Sequence, residues 1–123
     1  MGWKAWLARR WARGIVKAQL RTYEKCRDEL PDAPEKVVLK AVLSARLGYS
    51  HRDVERMAYD CNHIGDLCFW VVFEEASRTG VEQWWQDDAS VRMAVISTVI
   101  ETMQSYCSSR PGWTVPDDSW PLR

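Results

Sequence analysis

The chain has 123 residues, 46% of them hydrophobic and 28% charged, with a formal net charge of zero. That length is one domain, large enough to bury roughly two-thirds of its unfolded surface without a metal or a disulfide, and the composition excludes a disordered chain. The longest apolar run, residues 67–73, stops at Glu74, far short of the roughly 20 residues of a membrane span. Cys26, Cys61, Cys68 and Cys107 include no CxxC pair, which points to reduced thiols and a cytoplasmic protein. Arginines interrupt the N-terminal apolar residues, so no secretory signal is expected.

The zero net charge hides an asymmetry. Up to Arg27 there are eight basic residues against Glu24 alone, a balance of +7, while the remainder carries nine basic and 16 acidic residues, a balance of −7. A basic arm on an acidic body suits a nucleic-acid or membrane partner, or packing on its own body or on a second copy. Eight tryptophans stand out. Each indole buries on the order of 200 Å² and its N–H asks for a partner, so eight exceed what one small core absorbs.

Residues 1–30 contain no proline and predict a helix. Trp3, Trp6, Leu7, Trp11, Ile15 and Ala18 form its expected apolar stripe, widened by Val16, Leu20 and Tyr23, with Arg9, Arg10, Arg13, Lys17 and Arg21 largely on the other side. Pro31 ends it, and Pro34 is expected at the first position of a second helix over 34–47, which buries a combination of Val38, Leu39, Val42, Leu43, Ala45 and Leu47 before Gly48. Ser50 and Asp53 form a short capping box that starts a third helix at His51. Val54, Met57, Ala58, Cys61, Ile64, Gly65, Cys68, Val71 and Val72 keep one apolar phase. This favours a single helix over 51–77 rather than two split near Asn62 to Gly65. Trp84 and Trp85 lie on a short helical turn, and Asp87 or Asp88 caps a last helix over 88–106. The remainder, 108–123, has three prolines and is expected to be an extended tail, with Trp113 and Trp120 anchored on the body, on a partner or on a neighbouring copy. The expected fold is therefore all-α: a single-domain bundle, 1–107, of about four main helices.

Three patterns bear on chemistry. In residues 43–59, Leu43 and Ser44, Leu47, the Gly48 turn, and Val54 and Met57 follow one another. This resembles a helix-turn-helix DNA-binding unit, in which a glycine turns the chain and the apolar positions fix the angle between helices. The resemblance spans about 20 residues and implies duplex-DNA contact through Ser50, His51, Arg52 and Arg56, the two arginines reading guanine. Ser44 stands where alanine is commoner, and Asp53, Glu55 and Asp60 make the second helix near neutral. Asp60 and His63 are three apart, and on one helical turn they resemble half of the Glu-x-x-His pairing of di-iron bundles; they are weak metal candidates with no second half in the sequence. No glycine-rich phosphate loop occurs, and buried cysteines on a helical stripe are expected to act as small hydrophobes.

These readings lead to a non-catalytic interaction or regulatory module without a cofactor. Its expected partner is another protein or a second copy, bound through Trp3, Trp6, Arg10, Trp11 and Arg13, because Trp and Arg are the commonest interface hot spots. A helix-turn-helix DNA-binding regulator comes second and peripheral attachment to a membrane surface third.

Overall fold

In a computed structural model, residues 2–111 and 113 are described, and they form a bundle of five α-helices. The elements are α1 (Trp3–Glu29), α2 (Glu35–Ser44), α3 (His51–Tyr59), α4 (Ile64–Thr79), a 3₁₀ turn (Val81–Trp84) and α5 (Ala89–Ser108). Helix α1 runs through the centre, packing against α2, α4, α5 and the 3₁₀ turn. There is no strand among the described residues, and no helix is long and apolar enough to cross a membrane.

The face α1 turns inward differs from the expected one. Its buried residues are Ala5, Ala8, Ala12, Val16, Gln19 and Leu20, whereas Trp3 and Trp6 remain 65% and 56% exposed. The opposing face of α5 is built from Val91, Val95, Thr98, Val99, Thr102 and Met103. Its β-branched side chains are bulky near the backbone, and alanines opposite them leave room for two helices to meet without voids. Indoles in those positions would hold the helices apart. Trp11 and Ile15 stay on the flank, half-buried against the core, and Trp11 meets Trp85 with ring centroids 6.1 Å apart.

The second correction concerns the expected helix over 51–77. It is two helices: α3 stops at Tyr59, and α4 starts after His63. Three side chains stop the chain: Lys36, His63 and Asp66. Lys36 of α2 brings its ammonium to the carbonyls of Ala58 (2.6 Å), Tyr59 (3.2 Å) and Cys61, a cation placed on the negative end of α3. His63 Nδ1 accepts from the backbone N–H of Gly65 (3.0 Å) and Asp66 (3.4 Å), so a histidine acts as N-cap of α4. Asp66 accepts from the N–H of Asn62 at 2.9 Å. The apolar phase survives the break because Cys61, Ile64 and Gly65 are buried on the same core.

Helix α2 is also shorter than expected, ending at Ser44 rather than 47, and Pro34 stands at its N-cap rather than inside its first turn. Leu47, placed in the core by its spacing, is 98% exposed; it lies in the turn after the helix, where Gly48 takes φ +87. The capping box of Ser50 and Asp53 forms as expected, Ser50 Oγ accepting from the Asp53 N–H at 3.1 Å. Asp88 caps α5, accepting from Ser90 and Val91. Trp113 is seated between Tyr23 (centroids 5.5 Å) and Tyr106 (6.0 Å). The expected anchoring of Trp120, like residues 112 and 114–123 of the tail, lies outside the described residues.

Candidate functional site

The first helix supplies the site. Because α1 advances 3.6 residues per turn, Trp3, Trp6, Arg10, Arg13, Lys17 and Arg21 fall within roughly an 80° arc. All six are exposed. The arc lies away from the buried alanine face, so two indoles and four cations share one outward surface. Arg10 stands over the Trp6 ring at 5.5 Å and Lys4 over the Trp3 ring at 5.8 Å, cation–π pairs that keep both rings beside positive charge.

Charge on this arc is not neutralised within the fold. No acidic residue occurs between positions 3 and 23, and among the described residues Arg10, Arg13, Lys17 and Arg21 form no ion pair. The neighbouring cations differ. Arg9 donates to Thr98 Oγ1 at 2.8 Å and pairs with Glu101 at 3.4 Å, which ties α1 to α5. Arg27 pairs with Glu35 and donates to the Ala33 carbonyl, closing the turn into α2. Two shallow depressions border the arc, one lined by Trp6, Arg9, Arg10 and Arg13, the other including Arg13, Lys17, Glu101 and Tyr106. On the apolar flank a groove of about 560 Å³ runs over Leu7, Trp11, Ile15 and Trp84, with Arg10 and Arg46 at its edges. Gly14 lies in that groove, and a Cβ there would meet nothing.

Of the expected interaction residues, Trp3, Trp6, Arg10 and Arg13 are thus brought together, while Trp11 belongs to the flank and partly to the core. The apolar stripe expected on α1 sets indoles and cations on opposite sides, and Lys17 and Arg21, absent from the expected interaction residues, lie on the same surface as Trp3 and Trp6. The signal was present in the spacing of Ala5, Ala8 and Ala12, which marks the inward face.

The helix-turn-helix stretch has a different electrostatic character. Arg56 meets Glu74 at 2.8 Å and Asp53 at 3.7 Å, and Lys40 meets Glu55 at 2.9 Å. Arg78 adds bonds to Asp53 (2.9 Å) and Glu74 (3.3 Å). Its guanidinium, with the Ser50 backbone, holds the Asp53 carboxyl below its ordinary range. Arg56 is therefore exposed but matched by two carboxylates. Ser50 is occupied as a cap, His51 lies 3.9 Å from Glu55, and Arg52 is exposed.

The metal candidates are separated by the helix break. Asp60 terminates α3 and His63 caps α4, so they share no helical turn, and the lone pair of His63 Nδ1 is used by the backbone. Among the described residues no group of three or more His, Cys, Asp and Glu side chains is arranged to hold a metal ion. All four cysteines are free. Burial pushes each thiol up, Cys61 to about 12, so at neutral pH they are protonated and weak nucleophiles. No known protein family, curated protein or solved structure matches this chain, and its own residues are the basis for reading its function.

Proposed function

We propose that the chain is a non-catalytic binding module whose working surface is the outward face of α1. The observation that carries this reading is the row of four cations, Arg10, Arg13, Lys17 and Arg21, which form no ion pair among the described residues and continue from two exposed indoles. Large exposed apolar groups cost solvation free energy in an isolated protein and mark surfaces that become covered. Like charges held side by side on a helix also repel by a few tenths of a kcal/mol per pair, a cost that a negatively charged partner removes. The partner is therefore acidic, and an acidic protein segment, the acidic part of a second copy and an anionic membrane all offer that chemistry. The protonated thiols and the backbone-capping histidine support a role without catalysis, and four free cysteines suit the reducing cytoplasm.

Fractionation of extracts from cells that make the protein tests this reading. The native chain should travel with a larger assembly or a pelleted fraction, above its own 14.3 kDa. Arg13→Glu combined with Lys17→Glu should release it as a free monomer. Arg52→Glu combined with Arg92→Glu makes the same change in net charge elsewhere and should not. Equal behaviour of the two variants, or a native chain that is already a free monomer, overturns the reading.

A further inference from the structure

We propose that the surface which the outward face of α1 docks on is an anionic lipid bilayer, against which the helix lies flat. The inference rests on the preceding assignment of that face as the working surface and names its partner.

Four observations separate a bilayer from an acidic protein. The first is length. Trp3 to Arg21 spans 19 residues of one unbroken helix, about 27 Å at a rise of 1.5 Å per residue. One outward face of an unbroken helix can lie along a plane over that whole length, whereas a folded partner would need a matching trough. The second is the order of side chains. A helix that docks in a protein groove carries apolar anchors at i, i+3 or i+4, and i+7 along its length. Here the anchors end at Trp6, and the same arc continues as Arg10, Arg13, Lys17 and Arg21. The third is the kind of apolar group. Both large apolar residues on the arc are tryptophans, the side chain enriched in the headgroup layer, where one edge is apolar and the indole N–H stays wet. Leu, Ile and Phe, which suit a dry protein pocket, are absent from the arc. The fourth is depth. Lys4 and Arg10 stand over the two rings, so each indole carries a cation at its own level, where lipid phosphates lie.

The rest of the fold holds the ridge in that posture. Arg9 is tied to Thr98 and Glu101, and the alanine face is locked against α5, so α1 does not have to leave the bundle to make contact. Docking would place Trp3 and Trp6 at the headgroup boundary and the four cations over phosphates. Lysines and arginines near an anionic leaflet each contribute a factor of roughly five in partitioning, and the attraction decays within a Debye length.

Sedimentation of the purified full chain with lipid vesicles tests this, using phosphatidylcholine alone and phosphatidylcholine mixed with phosphatidylglycerol. Vesicles with phosphatidylglycerol should bind the chain, shift its Trp emission to the blue and release it as salt is raised; phosphatidylcholine alone should do neither. Arg13→Glu with Lys17→Glu should weaken partitioning by roughly thirtyfold or more, two cations at about fivefold each before reversal is counted. The charge-matched variant Arg52→Glu with Arg92→Glu should bind as the native chain does. Trp3→Ala with Trp6→Ala should abolish the blue shift. Circular dichroism checks that each variant keeps its helices. No binding to the anionic vesicles, equal binding to both vesicle types, or equal weakening by the two charge variants overturns the proposal. So does tighter binding to polyglutamate or duplex DNA than to the vesicles, which would assign the face to a soluble acidic partner. If the vesicles fail while the extract fractionation still responds to Arg13 and Lys17, the lipid is wrong and the surface stands. If that fractionation does not respond either, the surface itself is wrong.

Discussion

Helices α1 and α3 both offer arginine to solvent, and they differ in what meets it. On α3, Arg56 sits against Glu74 and Asp53, and Glu55 against Lys40; the carboxylate of Glu74 comes from α4, which follows in the chain but folds back beside it. On α1, the four outward cations meet no carboxylate among the described residues. The contrast teaches that a count of charges does not locate a binding surface. What locates it is the charge left unmatched after the chain has folded, and that depends on which carboxylates the tertiary structure brings near.

The largest effect is expected on the inside of α1. Ala12 is fully buried on the face that meets α5. Ala12→Leu should force the two helices apart and cost about 1–3 kcal/mol, read as a lower urea midpoint, with the outward arc chemically unchanged. An unchanged midpoint would mean that the alanine face is not the packing face. Next in size is an alkaline loss of stability. Cys61 in its ordinary state titrates near 9.0 and Tyr49 near 10.0, and burial raises both to about 12 in the fold. The folded state thus holds these protons more tightly than the unfolded chain. Their contribution is intact below pH 9 and is lost as the pH rises toward 12. Cys61→Ala and Tyr49→Phe should each flatten the slope of stability against pH in that window, measured by thermal unfolding.

Smaller effects separate the two outward faces directly. Arg56→Ala leaves Glu74 and Asp53 with Arg78 and should cost about 0–1 kcal/mol, as an exposed pair does. Arg13→Ala with Lys17→Ala removes charges that repel each other and form no hydrogen bond or ion pair among the described residues. Stability should change by less than about 0.5 kcal/mol, and any shift should be a gain. A clear loss would show that the α1 cations are structural, and the distinction between the two helices would disappear.

The sequence made some of this legible and concealed the rest for identifiable reasons. The caps at Ser50 and Asp88 were readable because a side-chain oxygen two or three residues ahead of free N–H groups is a local signal. The apolar period of α2 identifies Val38, Leu39, Val42 and Leu43, because burial there follows hydropathy. The inward face of α1 was obscured for the opposite reason. Ala5, Ala8 and Ala12 have little hydropathy of their own, and tryptophans beside them dominate any apolar stripe. What selects the alanines is the β-branched face of α5, more than 80 residues away in the chain. The break between α3 and α4 was hidden similarly. An apolar stripe in phase with a helix runs across it, and the cation that ends α3 is Lys36, 22 residues before Ala58. Histidine as an N-cap is also an uncommon choice beside Ser, Thr, Asp and Asn. The candidate surface inherits the first of these errors: once the alanines go inward, Trp3 and Trp6 must join the cations outside.

A scan with a photo-activated cross-linking residue, placed one position at a time in the living cell, shows which face of the bundle meets a partner. Positions 6, 13 and 17 lie on the α1 arc, and positions 52 and 59 are exposed on α3. Adducts that form from the three α1 positions and not from the two on α3 are the predicted result. Adducts from positions 52 and 59 with none from 6, 13 and 17 would contradict it and return the function to the α2–α3 surface.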